Sequence, residues 1–176
     1  MTLEGKKVAL FVAGDYEDLE AWYPYLRLKE EGVEVTVIAS DNVKEDIVTS
    51  KHGYPIRVDK KAKDVDPSKY DGVIIPGGWA PDKLRRCNNT LNFVKEMNKE
   101  NKLVASICHG GWVLASADVV EGKTLTSTPA IKDDLINAGA VWVDDEVVVD
   151  GKFVSSRSPK DLPAFLKMII KELKSL

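Results

Sequence analysis

Apolar residues recur along this chain in two rhythms. Residues 8–13 form an unbroken apolar run behind two lysines, the pattern of a strand buried on both faces; 72–76 and 103–107 read as further core strands, and 33–39 as the strand that follows the first. Between the first two runs, Leu19, Trp22, Tyr23, Leu26 and Leu28 fall at helical spacing within residues 19–31. Asp18 is the predicted N-cap of that helix and Gly32 its stop, with a kink expected at Pro24. Residues 47–58 read as short strand pieces around His52 and Gly53, a small edge hairpin. Helices are predicted over 91–98, from Gly110 or Gly111 onward, over 130–137 and over 159–174. Strand pieces are predicted at 124–127, 141–143, 147–149 and 153–155. Strand, helix and strand joined by short connections are βαβ units, so residues 1–176 read as one α/β domain. Its mainly parallel sheet is covered by helices on both faces.

Composition narrows the classes. Hydrophobic residues are 44% and charged residues 30% of the 176, the balance of a chain that can bury a core. A net charge of -3 without a basic block argues against nucleic acid as a stable partner. No apolar run approaches the roughly 20 residues that span a bilayer, and the first residues lack the pattern of a signal peptide, so no membrane partner is expected. The two cysteines, Cys87 and Cys108, make no disulfide framework, and the expected location is cytoplasmic.

Chemistry concentrates where the strands end. The run 103–107 stops at Cys108, followed by His109, Gly110 and Gly111. A nucleophile at such a strand-to-helix turn takes a strained backbone conformation and needs small neighbours. It stands above the carboxyl ends of the strands, where open α/β sheets place ligands. The helix that follows would favour thiolate over thiol and supply oxyanion donors. The competing reading is that Cys108 is a small apolar core residue. His109 is a candidate base, although adjacent side chains diverge unless the elbow is sharply bent. Pro76-Gly77-Gly78 ends another core strand, and its backbone N–H groups can approach a ligand closely, unless it is an ordinary turn. In Asp15-Tyr16-Glu17-Asp18 after the first strand, Asp18 suits capping and leaves Glu17 free to reach the same crevice. Cys87 reads as a surface or half-buried thiol and His52 as a turn residue. Spacing of the histidines and cysteines suits no metal, and no phosphate or dinucleotide loop is present, so no cofactor is indicated.

Nine separated motifs carry a resemblance that runs nearly end to end. They are Tyr16-Glu17-Asp18, Tyr23-Pro24, Leu28-Lys29-Glu30-Glu31-Gly32, Lys51-His52-Gly53-Tyr54, Pro76-Gly77-Gly78, Ala105-Ser106-Ile107-Cys108-His109-Gly110, Ile131-Lys132-Asp133-Asp134, Asn137-Ala138-Gly139 and Ser155-Ser156-Arg157. In these the chain resembles the PfpI-type intracellular proteases, a branch of the class I glutamine amidotransferase-like superfamily that includes the parkinsonism-associated deglycase and chaperone proteins. The resemblance implies a flavodoxin-like fold with Cys108 as nucleophile and His109 as its partner. It implies Glu17 as a neutral acid against the sulfur, and the N–H groups of Gly78 and His109 as the oxyanion hole, with Gly77 and Gly110 beside them. It also implies a homo-oligomer, dimer or hexamer, in which Asp82 of a neighbouring subunit, where glutamate is usual, serves His109. Trp79, Gly111-Trp112 and Thr128 depart from the family pattern and give the pocket its own shape.

The favoured activity is addition of Cys108 to small carbonyl electrophiles. This means conversion of 2-oxoaldehydes to 2-hydroxy acids of the glyoxalase III type, or deglycation of glycated proteins. The first alternative is an intracellular cysteine peptidase with a Cys108-His109-acid triad. The second is a redox-sensing stress chaperone.

Overall fold

The computed structural model, which describes residues 3–176, turns each long apolar run into a strand of one sheet. In chain order the elements are β1 (Lys7–Val12), α1 (Asp18–Glu30), β2 (Glu34–Ala39), β3 (Ile47–Thr49), β4 (Pro55–Arg57), β5 (Lys60–Lys61), β6 (Gly72–Ile75), α2 (Ala80–Leu84) and α3 (Asn88–Lys99). There follow β7 (Leu103–Ile107), α4 (Gly111–Ser116), β8 (Thr124–Leu125), α5 (Lys132–Asn137), β9 (Val141–Trp142), β10 (Val147–Asp150), β11 (Phe153–Ser156) and α6 (Leu162–Lys174). The seven-stranded sheet has the order β10-β11-β7-β6-β1-β2-β5. Only β10 runs antiparallel in it. Helices cover both faces: α1 packs on α6, while α4 packs on α2, α3 and α5.

Burial explains the strand composition. Val8, Ala9, Leu10, Phe11 and Val12 are all fully buried, so both faces of β1 are apolar. The amphipathic α3 docks through Thr90, Phe93, Val94 and Met97, with Phe93 edge-on to Phe11 at 5.1 Å. Each large apolar side chain buried in this way contributes about 1.5–3 kcal/mol. Parallel strands of matched register bring their carboxyl ends to one edge: Leu10 pairs with Ile74, and Ile75 with Ser106. The loops after β1, β6 and β7 therefore meet at a single crevice.

Three features differ from the sequence expectation. The hairpin β3–β4 is a separate two-stranded sheet, and the edge of the main sheet is the short lysine pair β5, too polar to announce itself. Helix α2, five residues with Pro81 in its first turn, has too little periodicity to be read. Helix α1 is turned the other way: Glu20, Ala21, Pro24 and Leu28 face inward, while Leu19 and Leu26 are 57% and 56% exposed. Of the apolar stripe read from the sequence, Leu19, Tyr23 and Leu26 look outward, while Leu28 is buried and Trp22 packs against the core.

Candidate active site

Cys108 sits where β7 breaks into a single 3₁₀ turn, Cys108–Gly110, ahead of α4. Its φ is +60°, a left-handed conformation that costs a non-glycine residue about 1–2 kcal/mol. That strain turns the cysteine side chain out of the strand direction and bends the elbow sharply. Cys108 Sγ consequently lies 3.3 Å from Nδ1 of the adjacent His109. Gly110 permits the bend, because a β-carbon there would collide with the Ile75 carbonyl oxygen of β6.

The loop after β6 closes the other side. Gly78 has φ +72°, and a β-carbon on it would sit 2.5 Å from the Glu17 backbone nitrogen. That space is filled by the crossing of two loops: Trp79 N donates to Asp15 O at 2.8 Å, and Glu17 N donates to Gly77 O at 3.2 Å. The backbone N–H groups of Gly78 and His109, the two expected oxyanion donors, both face the sulfur. Gly77 is not a free donor, since its N–H is held by Glu20 Oε2 at 2.7 Å.

The acid beside the sulfur is Glu20, not Glu17. Glu17, expected there, is the N-cap of α1: its Oε2 accepts from the Glu20 backbone N–H at 2.8 Å, displacing Asp18 from the capping role. Glu20 lies on the buried face of α1, fully inaccessible, and its Oε1 has no hydrogen-bond partner. A β-carbon on Gly77 would stand 2.5 Å from Glu20 Oε2 and 2.7 Å from Cys108 Cβ, so the carboxyl and the cysteine converge on that glycine. A signal for Glu20 existed in the sequence, since it stands four residues before Pro24 and eight before Leu28.

Titration follows from this enclosure. Burial, reinforced by the negative charge of Glu17, pushes the Glu20 carboxyl up to about 8, so it is a neutral acid at pH 7. Burial and then the Glu20 carboxylate push the Cys108 thiol well above its ordinary range, opposed by the N–H groups of His109 and Gly78. Enclosure therefore works against the thiolate that a helix dipole would favour. The reason is structural: one 3₁₀ turn and a six-residue helix offer little dipole against the loss of solvent. Burial, followed by the charge of Lys51, lowers His109 below the usual imidazole range. A neutral imidazole with its proton on Nε2 can accept the thiol proton at Nδ1.

Other expected residues lie elsewhere. Asp82, in α2, is exposed and paired with Arg86 at 2.7 Å, and among the described residues His109 forms no ion pair with a carboxylate. Cys87 is buried, with its thiol donating to Asp41 Oδ2 at 3.5 Å. His52 is more than a turn residue: its Nδ1 is 2.8 Å from Asp18 Oδ2, and Ser50 Oγ donates to the other oxygen of Asp18. Glu17, Asp18 and His52 each bring one donor atom within 4.8 Å of the others, the one group of metal-ligand type among the described residues.

The glutamate, elbow cysteine, histidine and crossing glycine loops together are the pattern against which known proteins can be compared. Residues 6–172 match the DJ-1/PfpI family. The chain belongs to the DJ-1/PfpI family. A deglycase of Pyrococcus abyssi is 48% identical over 168 residues, covering 96% of this chain and 99% of that protein. The deglycase PfpI of Pyrococcus furiosus is 44% identical over the same shares. A Bacillus subtilis protein described as a candidate cysteine protease is 42% identical over 169 residues, 96% of this chain and 99% of that one. Among solved structures, the DJ-1/ThiJ/PfpI-like two-domain protein of Anabaena variabilis superposes with a TM-score of 0.92 at 40% identity, covering 96% of this chain and 50% of that one. The flavodoxin-like DJ-1/PfpI fold expected from the resemblance is thus present, and relatives across it are named as enzymes. Among the described residues no helix is long and apolar enough to cross a membrane.

Proposed function

We propose that Cys108 adds to the aldehyde carbon of small 2-oxoaldehydes and that the protein converts them to 2-hydroxy acids, the same addition serving to release early glycation adducts. One observation carries this reading: the His109 imidazole, 3.3 Å away, and the buried Glu20 carboxyl, raised toward its neutral form, stand on either side of the Cys108 sulfur. The Sγ–C bond forms as the carbonyl π bond breaks, and the thiol proton passes through His109 Nδ1 to the new alkoxide. A proton then leaves the former aldehyde carbon and returns to the ketone carbon, so that the first carbon is oxidised and the second reduced. Water hydrolyses the resulting thioester, freeing the thiol. Net, a 2-oxoaldehyde and one water become a 2-hydroxy acid, with no external oxidant. Each such proton transfer by a placed side chain contributes about 10²–10⁴-fold.

Peptide hydrolysis is less well supported. The N–H groups of Gly78 and His109 are turned toward the sulfur, Gly77 N–H is occupied, and among the described residues no carboxylate pairs with His109. Lactate formation from methylglyoxal tests the favoured reading: Cys108→Ser is expected to lower it by at least about 10³-fold. Equal activity in both proteins would remove Cys108 from the mechanism, and casein hydrolysis exceeding aldehyde turnover would favour the peptidase.

We also propose a homo-oligomer. The outward stripe of α1 joins Tyr54, 58% exposed, around a groove of about 520 Å³ lined by Leu19, Trp22, Leu26 and Tyr54. Exposed apolar surface of this kind suits a second copy of the chain. Leu26→Glu is expected to yield a smaller particle on sedimentation, while an unchanged particle would place the contact elsewhere. In the assembled protein Asp82, freed from Arg86, is proposed to serve His109 of a neighbouring copy; Asp82→Ala should then cost activity only in the larger particle.

A further inference from the structure

The mouth of the Cys108 site is walled by indoles. The His109 imidazole packs against Trp79, with centroids 5.5 Å apart and planes inclined by 41°, and against Trp112 at 5.1 Å and 56°. The two tryptophans are held differently. Trp112 is tied down, its Nε1 donating to Asp134 Oδ2 at 2.9 Å and its ring 5.5 Å beneath the Arg85 guanidinium. Trp79 is anchored through its backbone N–H to Asp15 O, while its side chain remains 57% exposed. A rigidly rooted indole is thus presented to solvent one imidazole away from the nucleophile.

An electrophile joined to Cys108 Sγ, 3.3 Å from His109 Nδ1, can extend its substituent past the imidazole toward the Trp79 ring on the far side. A methyl group is too small to fill that span; a planar aryl group can stack on the indole. Charges near the two rings are mixed: Lys51 bears on His109, Arg85 covers Trp112, and the Asp134 carboxylate holds the Trp112 Nε1. We propose that Trp79 is a specificity-determining residue that favours 2-oxoaldehydes bearing an aryl substituent over their methyl counterparts. This rests on the 2-oxoaldehyde reading above and adds to it the class of substituent.

Phenylglyoxal and methylglyoxal compared in the wild type, Trp79→Ala and Trp79→Phe provide the test. The ratio of kcat/KM for phenylglyoxal over methylglyoxal is expected to fall about tenfold in Trp79→Ala, mainly through KM, and to recover largely in Trp79→Phe. A ratio unchanged in Trp79→Ala, with both substrates impaired alike, would reduce Trp79 to a brace for His109 and overturn the proposal. Alkylation of Cys108 by N-benzyl iodoacetamide against iodoacetamide, read by mass at the Cys108 peptide, separates this failure from that of the parent reading. If the wild type turns over neither aldehyde, the parent reading falls, and a benzyl preference lost in Trp79→Ala still sustains the aryl subsite. If the alkylation ratio does not depend on Trp79, the subsite falls whatever the turnover. A smaller particle in Trp79→Ala with the aryl ratio intact would reassign the ring to a subunit contact, which also overturns the proposal.

Discussion

Glu20→Gln is expected to make the protein more stable at pH 8 and nearly inactive. The folded-state pKa of Glu20, about 8, lies above the ordinary carboxyl value of 4.5, so the folded form holds a proton that the unfolded chain releases. The stability tied to that proton is fully present below about pH 4.5 and is lost as pH rises through about 8. Over the whole window the loss is of order 5 kcal/mol, at about 1.4 kcal/mol for each pH unit. Glutamine has the shape of the neutral acid and can still accept from Gly77 N–H, so its midpoint in urea should stay flat across the window in which the wild type declines. Lactate formation should meanwhile fall by about 10²–10⁴-fold, since the amide cannot exchange a proton with the adduct. A variant with the same pH slope as the wild type would show that Glu20 is already ionised in the fold.

Gly78→Ala is expected to unfold the crevice while Gly53→Ala is tolerated. Both glycines have positive φ, +72° and +91°, so each alanine meets the backbone penalty of about 1 kcal/mol. At Gly53 nothing lies within 4 Å of the added carbon. At Gly78 the new carbon meets the Asp15 carbonyl and the Glu17 nitrogen, backbone atoms fixed by the loop crossing, which cannot move without parting the loops after β1 and β6. The expected loss is roughly 3–5 kcal/mol at Gly78 against about 1 kcal/mol at Gly53. Equal midpoints in urea for the two variants would mean that the crossing does not hold the site together.

Legibility differed by element for physical reasons. Strands β1, β6 and β7 are buried on both faces, so their compact, mostly apolar runs betray them without any knowledge of their neighbours. The elbow at Cys108 was legible because small residues must follow a strained nucleophile. Helix α1 was found but turned the wrong way. Its outward stripe is more apolar than its inward face, which carries a glutamate and a proline. Periodicity marks the apolar side of a helix without saying whether the sheet or another copy covers it. Glu17 took the place of Glu20 because Asp18 reads as the cap, a role that Glu17 itself fills.

Local sequence determined most of the strands and helices, β5 and α2 excepted, that the sheet is mainly parallel, and that Cys108, His109 and the diglycine lie at strand ends. These depend on residue type and spacing over a few positions. Tertiary structure alone decided which carboxyl meets the sulfur, that enclosure raises the thiol's pKa, and that two tryptophans flank His109. Those properties arise where loops from β1, β6 and β7 converge. Burial there, set by residues nearly ninety positions apart, governs every charge.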